Sequence, residues 1–340
     1  MKVLKYLLFL LLILGIGFSI YVAVQPSSFK VIRTRTIKAP SAVIYNNVID
    51  FKNLKSWVAW VENDPNTIIT LSEKTKGVGG SYAWEDKDGI GTMKTIDAIP
   101  NTSIKQELQF DDFHPSKINW TFTPNDDNST NVTWDISGEN LPFMFKAFNV
   151  VMGGMEKQIG PNFERGLEKL DSIVVNSMKV YRIEINGVTE YGGGFYLYKT
   201  TNATSNNISQ VMTQQYESIS RFMKQNSIAF SGMPFTIYHD MNMKNGTFIM
   251  SNGIPVKEKI VITGDTYILC DYIPKLSALK TTLKGNYNNL PEAWEKTMKF
   301  IAENDIEQSD IKPFEIYTTD PVNVSNPADW ITEIYVPIKE

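Results

Sequence analysis

PFTIY at residues 234–238 and PFEIY at residues 313–317 are two copies of one motif, and they decide the fold of the C-terminal half. The second copy begins 79 residues after the first, and the similarity extends over residues 222–238 and 300–317. Self-similarity at a fixed spacing indicates two copies of one supersecondary unit.

The same order of helix and strand patterns surrounds both copies. Amphipathic patterns upstream predict helices over residues 208–225 and 290–304. Downstream, each copy is followed by a predicted strand, ending at Pro255 or Pro337. Each copy therefore reads strand, helix, strand, strand. Two such units side by side form a pseudo-twofold domain, and we expect a binding cleft at their junction.

The preceding half of the chain has the pattern of an antiparallel sheet. Residues 31–38 (VIRTRTIK) alternate between apolar and polar side chains, which predicts a half-buried strand. A run of about six strands follows between residues 67 and 135, with Asp88 and Gly89 as one hairpin turn. Residues 142–174 predict one long helix, or two helices broken at Gly153-Gly154. A curved sheet wrapped around a terminal helix satisfies this order.

Five of the seven tryptophans fall in this half: Trp57, Trp60, Trp84, Trp120 and Trp134. Most of them are expected to fill an ordinary core. A concave, aromatic-rich sheet facing one helix is also a common way to line an apolar cavity. We therefore predict a first-domain cavity lined by Trp57, Trp84, Trp120 and Trp134.

Residues 6–24 (YLLFLLLILGIGFSIYVAV) carry no charge and match the thickness of a hydrocarbon core. Lys2 and Lys5 precede this run, so it also has the pattern of a signal peptide. The length of the run and the lack of a following A-x-A cleavage motif favour an uncleaved membrane anchor.

The charges that flank the apolar run disagree about its orientation. Four basic residues follow it, and by the positive-inside rule they place the C-terminal side in the cytoplasm. A short basic tail before an early apolar run is instead typical of export. We predict a single-pass membrane protein with its soluble domains on the non-cytoplasmic side.

Composition excludes several classes of site. The net charge is −4 without a basic block, so we predict no nucleic-acid partner. Cys270 is the only cysteine, and the two histidines, His114 and His239, lie in different halves of the chain. We therefore predict no metal site, no cofactor and no Ser-His-Asp triad. The oligomeric state stays open.

The first half resembles the START-like (polyketide cyclase/dehydrase, helix-grip) superfamily over about residues 30–175. The resemblance is carried by IKAPSAVIY at 37–45, Trp57, GIGT at 89–92 and TNVTW at 130–134. It implies an apolar tunnel for lipids, sterols or polyketides. Catalytic residues differ between branches of the superfamily, and none is carried over to this chain.

The second half resembles the GyrI-like, or AraC-type effector-binding, family over about residues 178–340. LPEAW at 290–294, FEIY at 314–317 and TEIYVPI at 332–338 carry this resemblance. It implies binding of small amphiphilic, often cationic, molecules, and the family's pocket glutamate maps onto Glu333. No helix-turn-helix pattern precedes the domain in residues 1–177, so a transcription factor is not implied.

The resemblance directs attention to the strand that carries Glu333. On an alternating strand, Glu333 and Tyr335 share one face. We predict a carboxylate at Glu333 lined by Tyr287, Trp294 and Tyr317, with Tyr335 beside it. Such a site receives a cation through the acid and through cation–π attraction.

Together these patterns predict an α+β protein: an N-terminal transmembrane helix, a helix-grip antiparallel domain, and a duplicated β-α-β-β effector-binding domain. The expected boundaries are 1–29, 30–176 and 177–340. We predict a membrane-anchored sensor or carrier of small hydrophobic or cationic amphiphilic molecules. A cyclase-like or hydrolase enzyme using the same cavities and an envelope protein-interaction module are the two alternatives.

Overall fold

The computed structural model describes residues 2–87, 89–242, 244–263 and 267–339. The chain divides into two compact units, Met1–Ser177 and Met178–Glu340. An apolar N-terminal helix and two antiparallel sheets, of seven and eight strands, confirm the predicted α+β class. The predicted hairpin turn at Asp88 lies outside the described residues.

The first unit contains six α-helices and seven strands among its described residues. In chain order they are α1 (Lys2–Ala23), β1 (Phe29–Ile37), α2 (Ser41–Ile49), α3 (Leu54–Trp57), α4 (Trp60–Asn63), β2 (Ile68–Leu71), β3 (Ser81–Asp86), β4 (Gly89–Ile99), β5 (Ser103–Phe110), β6 (Ser116–Pro124), β7 (Thr130–Gly138), α5 (Phe143–Val151) and α6 (Met155–Ser177). The helix break predicted near Gly153-Gly154 is confirmed, and both glycines have positive φ, at 84° and 100°.

The first sheet has the order β1-β7-β6-β5-β4-β3-β2, and every pairing is antiparallel. Helix α6 packs on it through buried side chains that recur every three to four residues, namely Phe163, Leu167, Leu170 and Val174. The ring of Phe163 stacks on Trp134 of β7 with 3.7 Å between centroids. The sheet therefore grips the long helix through aromatic contact at its centre.

Helix α1 is exposed along most of its length, and Val3–Ala23 is long and apolar enough to cross a membrane. A signal sequence near the N-terminus can satisfy the same criteria of length and apolar composition. The C-terminal end of α1 is tied to the rest of the first unit, since Val22 is fully buried there.

The second unit contains two α-helices and eight strands among its described residues. They are β8 (Arg182–Tyr191), β9 (Gly194–Thr204), α7 (Ile208–Gln225), β10 (Phe235–Asn242), β11 (Thr247–Val256), β12 (Leu269–Ile273), β13 (Leu276–Lys284), α8 (Leu290–Glu303), β14 (Phe314–Tyr317) and β15 (Ile331–Pro337).

The strand order of the second sheet, β12-β9-β11-β10-β14-β15-β13-β8, is symmetric about its centre. The unit β9-α7-β10-β11 corresponds to β13-α8-β14-β15, which confirms the predicted duplication of a β-α-β-β unit. The outer strands are exchanged between halves, because β8 pairs with β13 and β12 pairs with β9. The two repeats meet where β10 pairs with β14.

Each face of this sheet carries an apolar cluster. One face packs against α8 through a cluster that includes Leu279, Trp294 and Ile334. The opposite face carries a second cluster that includes Phe314 and Tyr335. Neighbouring residues of β14 and β15 therefore contribute to different cores.

We expect Leu170→Ala to destabilise the first unit by about 2–5 kcal/mol, because Leu170 is fully buried under the sheet and its truncation leaves a cavity. Leu71→Ala is the matched control, since Leu71 is 40% exposed on β2. Urea unfolding of the full chain in detergent measures both. Equal losses for the two variants would contradict the packing described for α6.

Candidate ligand-binding sites

The centre of the second unit is the antiparallel contact between β10 and β14. Thr236 and Glu315 lie directly opposite each other across this pair. They are also equivalent positions of the repeat, in PFTIY and PFEIY. The pseudo-twofold axis therefore passes between these two residues, and the duplication places an acid on one side of it and a hydroxyl on the other.

Glu315 is 1% exposed and accepts three hydrogen bonds from aromatic side chains. Trp294 Nε1 donates to Oε1 at 2.5 Å. The hydroxyls of Tyr317 and Tyr238 donate to Oε2 at 2.6 and 3.0 Å. Tyr238 and Tyr317 are themselves equivalent residues of the repeat, so both halves supply a phenol to one acid.

A polar chain extends from this acid toward α7. The hydroxyls of Tyr216 and Thr236 lie 2.8 Å apart, and Thr236 donates to Asn252 Oδ1 at 2.7 Å. Asn252 Nδ2 in turn donates to Gln215 Oε1 at 2.7 Å. Tyr216 and Gln215 are on α7, so both helices of the duplicated domain contribute polar groups to the junction.

Burial raises the pKa of Glu315 above its ordinary value of 4.5, while the hydrogen bonds from Tyr317, Trp294 and Tyr238 act in the opposite direction. These three donors are neutral side chains. Burial and the nearby Glu315 also raise the pKa values of Tyr238 and Tyr317 well above 10. The junction is thus a buried acid inside a shell of neutral donors.

Tyr287 forms the outer wall of this shell. It is half-buried and lies on a short 3-10 turn, Tyr287–Asn289, ahead of α8. Its ring centroid is 5.7 Å from that of Tyr317 and 4.7 Å from that of Trp330. Burial, Glu315 and Asp320 raise the pKa of Tyr287 to about 12. We call Glu315, Tyr238, Tyr287, Trp294 and Tyr317 the junction cluster.

Glu333 lies on the opposite face of the sheet. Its partner across the β14–β15 pair is Ile316, whereas Glu315 lies opposite Ile334. Lys280 Nζ is 2.7 Å from Glu333 Oε1, so this acid is already paired with a cation.

Tyr335 accompanies Glu333 rather than the junction cluster. Its hydroxyl donates to Glu333 Oε2 at 2.8 Å, and Lys280 Nζ is 5.7 Å from its ring centroid. Its ring stacks on Phe314 at 5.2 Å. Burial and Glu333 raise the pKa of Tyr335.

The structure therefore brings together only part of the predicted binding set. Tyr287, Trp294 and Tyr317 do surround a carboxylate, but it belongs to Glu315 and not to Glu333. The expected position of Glu333 among these three rings is corrected by the strand register. The missed signal lay in the repeat. PFTIY and PFEIY differ only at Thr236 and Glu315, which are the one pair of equivalent residues that the β10–β14 register places opposite each other.

In the first unit, Trp57, Trp120 and Trp134 meet in one cluster. Trp120 and Trp134 stack at 4.4 Å, and Trp57 contacts them edge-on at 5.5 and 5.7 Å. They line a cavity of about 10 Å³, the space of about one water molecule. Apart from Gln106, which accepts from Trp120 Nε1 at 3.3 Å, its lining residues are apolar or aromatic.

Trp84, the fourth predicted lining residue, lies beside this cavity rather than on its wall. Its ring contacts Tyr82, which does line the cavity, at 5.8 Å and Phe110 at 6.3 Å. The indole N–H groups of Trp57 and Trp134 are buried without a hydrogen-bond acceptor among the described residues.

The two histidines lie in different units. His239 Nε2 is 2.7 Å from the hydroxyl of Ser251, which also contacts Thr200 at 2.8 Å. Ser251 is 1% exposed, so a substrate cannot reach its hydroxyl in this conformation. Over the described residues, no group of three or more His, Cys, Asp or Glu side chains is arranged to hold a metal ion.

Comparisons with known proteins agree with the two-unit architecture. Residues 37–168 match the family model "Polyketide cyclase / dehydrase and lipid transport". Residues 195–339 match the family model "GyrI-like small molecule binding domain". The two resemblances seen in the sequence are confirmed. No curated protein matches the chain.

Among solved structures, the chain is similar to the C-terminal domain of EcmrR, with 21% identity and a TM-score of 0.41, covering 47% of this chain and 99% of that one. EcmrR in a complex with DNA is 18% identical, with a TM-score of 0.41 and coverage of 58% and 72%. Protein CV1439 from Chromobacterium violaceum is 17% identical, with a TM-score of 0.32 and coverage of 44% and 98%.

We expect the stability of the wild type relative to a Glu315→Gln variant to fall as pH rises above 4.5. A raised folded-state pKa means that the folded protein holds a proton that the unfolded chain releases, so the contribution of the acid is greatest at low pH. Urea unfolding of both proteins across pH 4–8 measures the difference. A difference that grows in favour of the wild type as pH rises would show that the ionised form is preferred.

Proposed function

Because the chain carries a polyketide cyclase-type domain followed by a GyrI-like small-molecule-binding domain, we propose that it is a membrane-anchored sensor or carrier of small hydrophobic or cationic amphiphilic molecules. The observation that carries the proposal is Glu315, a buried acid whose three hydrogen-bond donors are neutral aromatic side chains. We propose three parts for the chain: an anchor over residues 1–29, a helix-grip domain over 30–176 and an effector-binding domain over 177–340.

The chemistry of the junction cluster suits a lipophilic cation. A buried acid without a cation has a raised pKa, and a positively charged ligand supplies the partner that favours its ionised form. Tyr238, Trp294 and Tyr317 turn their donor groups to the acid, so cation–π attraction, about 0.5–2 kcal/mol for each ring, requires a ring to turn its face to the bound cation. The apolar body of the ligand would replace contacts in the surrounding core.

Ligand entry requires a side chain to move, since Glu315 is 1% exposed. Tyr287 is the half-buried ring of the cluster and sits on a three-residue turn, so its displacement disturbs less packing than that of Trp294 on α8. We propose that the ligand selects a conformation in which Tyr287 is displaced. The closed form described above is then the ligand-free form.

Glu333 is the alternative carboxylate. Tyr335 and Phe314 provide rings beside it, but a cationic ligand there must first displace Lys280 from a 2.7 Å ion pair. That competition supports Glu315 over Glu333 as the principal ligand acid. Parallel variants of the two acids separate these assignments.

The lining of the cavity in the first unit also supports binding rather than catalysis. An apolar, aromatic lining favours an apolar ligand, whereas paired acids or convergent phenols would favour an enzyme. Gln106 and the indole N–H groups of Trp57 and Trp134 provide the polar contacts there. We propose that Trp57, Trp120 and Trp134 contact an apolar ligand when the cavity expands, and that Trp84 borders it. Lipid extraction and mass spectrometry of the purified protein identify that ligand.

We expect Glu315→Gln to weaken binding of tetraphenylphosphonium at least about tenfold, or about 1.4 kcal/mol, because the ligand loses its counter-charge. Binding of the neutral triphenylphosphine oxide should change little. Isothermal calorimetry on the full chain in detergent measures both affinities, and circular dichroism verifies folding.

Glu333→Gln is the matched control for that measurement. It removes the same charge from the opposite face of the sheet, and we expect tetraphenylphosphonium affinity to stay within a few-fold of the wild type. If Glu333→Gln weakens binding and Glu315→Gln does not, the ligand acid is Glu333. Equal affinities for all three proteins would overturn the proposal that a buried acid binds the cation.

Labelling of single cysteines in a Cys270→Ser background can determine on which side of the membrane the soluble domains lie. Asn245 is exposed in the second unit and Val3 is exposed near the start of α1. With the soluble domains outside the cytoplasm, Asn245→Cys should react with a membrane-impermeant maleimide in intact cells, and Val3→Cys only after lysis. The reverse pattern would place the domains in the cytoplasm, and release of the chain by alkaline carbonate would indicate a cleaved signal.

A further inference from the structure

Helix α5 exposes a continuous apolar face. Met144, Phe148, Val151 and Met152 follow the i, i+4, i+7, i+8 spacing of one helical face and are 73%, 54%, 70% and 47% exposed. Phe143 at the start of the helix is 45% exposed as well. Exposed apolar residues gathered on one face of a helix mark an interaction surface.

This helix is fastened to the end of the apolar N-terminal helix. The side chain of Lys146 is 8% exposed, and its Nζ donates to the carbonyls of Ala23 and Gln25, both at 3.0 Å. Ala23 is the last residue of α1, so the only charged residue of α5 points back onto that helix end. The ring of Phe145 also stacks on Phe29, the first residue of β1, at 6.3 Å.

These two observations fix where α5 lies if α1 spans a bilayer. The C-terminal end of a spanning helix lies at the membrane interface, and α5 is bound to that end by its buried lysine. We propose that α5 is an interfacial helix whose Met144, Phe148, Val151 and Met152 insert into the bilayer surface, about 5–10 Å deep as such helices do. The inference rests on the proposed anchoring role of α1 and adds a second contact with lipid.

The inner side of α5 faces a row of aromatic rings. Phe145 contacts Phe113 at 5.3 Å, and the row continues through Phe110 and Trp84 to Tyr82, with centroids 5.8–6.5 Å apart. Tyr82 lines the tryptophan cavity of the first unit. Contact between α5 and the bilayer therefore places acyl chains at one end of an apolar row that ends at this cavity.

Site-specific fluorescence quenching in vesicles tests the inference. The full chain, in a Cys270→Ser background, is labelled with bimane at Phe148→Cys or Met144→Cys and placed in phosphatidylcholine vesicles that contain a nitroxide at a shallow acyl position. Both positions are already exposed, so the labels replace no core contact. We expect both labels to lose most of their fluorescence to the nitroxide.

Two control positions make the outcome specific. Asp126→Cys lies in the turn between β6 and β7, at the far end of the nine-residue strand β7 from α5, about 30 Å away. Its label should keep its fluorescence. Leu10→Cys, in the middle of α1, should be quenched by a nitroxide deep in the acyl chain.

The controls also separate failure of this inference from failure of the anchor. Quenching at Leu10 with Phe148 and Met144 no more quenched than Asp126 would overturn the interfacial helix and leave the anchor intact. Loss of quenching at Leu10 would overturn the anchor and the inference with it. A blue-shifted but unquenched label at Phe148 would mean that a protein, such as a second copy of the chain, covers this face.

Discussion

The pairing of β10 with β14 is the contact on which the second unit depends. It joins two copies of a β-α-β-β unit into one eight-stranded sheet, and it brings equivalent residues face to face. At that point a symmetric pair would place two identical side chains against each other. The chain instead has Glu315 opposite Thr236, so duplication and divergence together create one acid at the centre of a nearly symmetric core.

Two opposing free energies decide whether the acid at that position is ionised. Ionising a carboxylate away from water costs several kcal/mol even after relaxation, while each hydrogen bond to a charged group contributes about 1.5–3 kcal/mol. Three neutral donors therefore offset much of the penalty without supplying a positive charge. The cationic ligand that we propose would complete this arrangement, whereas Glu333 on the opposite face already has Lys280 as its partner.

The first unit builds its apolar interior from tryptophan side chains. Trp120 and Trp134 lie on the neighbouring strands β6 and β7, and Trp57 lies on α3. The cavity that they line holds about one water molecule. The contact with lipid that we propose for this unit lies at α5, which Lys146 fastens to the end of α1. Both units keep their interiors closed, and in the second unit the displacement of Tyr287 proposed above would open the junction cluster.

The sequence by itself determined the duplication, the antiparallel pattern of the first half and the apolar N-terminal helix, because these follow from local periodicity and from self-similarity along the chain. It left open whether residues 142–174 form one helix or two, and the structure breaks them at Gly153-Gly154. The sequence also selected Tyr287, Trp294 and Tyr317 as neighbours of an acid. Which acid they surround was decided only by the tertiary structure. Glu315 and Glu333 each lie in a short strand of mostly apolar residues, and the face that an alternating strand turns to a given core depends on its register with distant strands. The fastening of α5 to α1 was likewise invisible in sequence, because Lys146 and Ala23 are 123 residues apart and meet only when the sheet closes around α6.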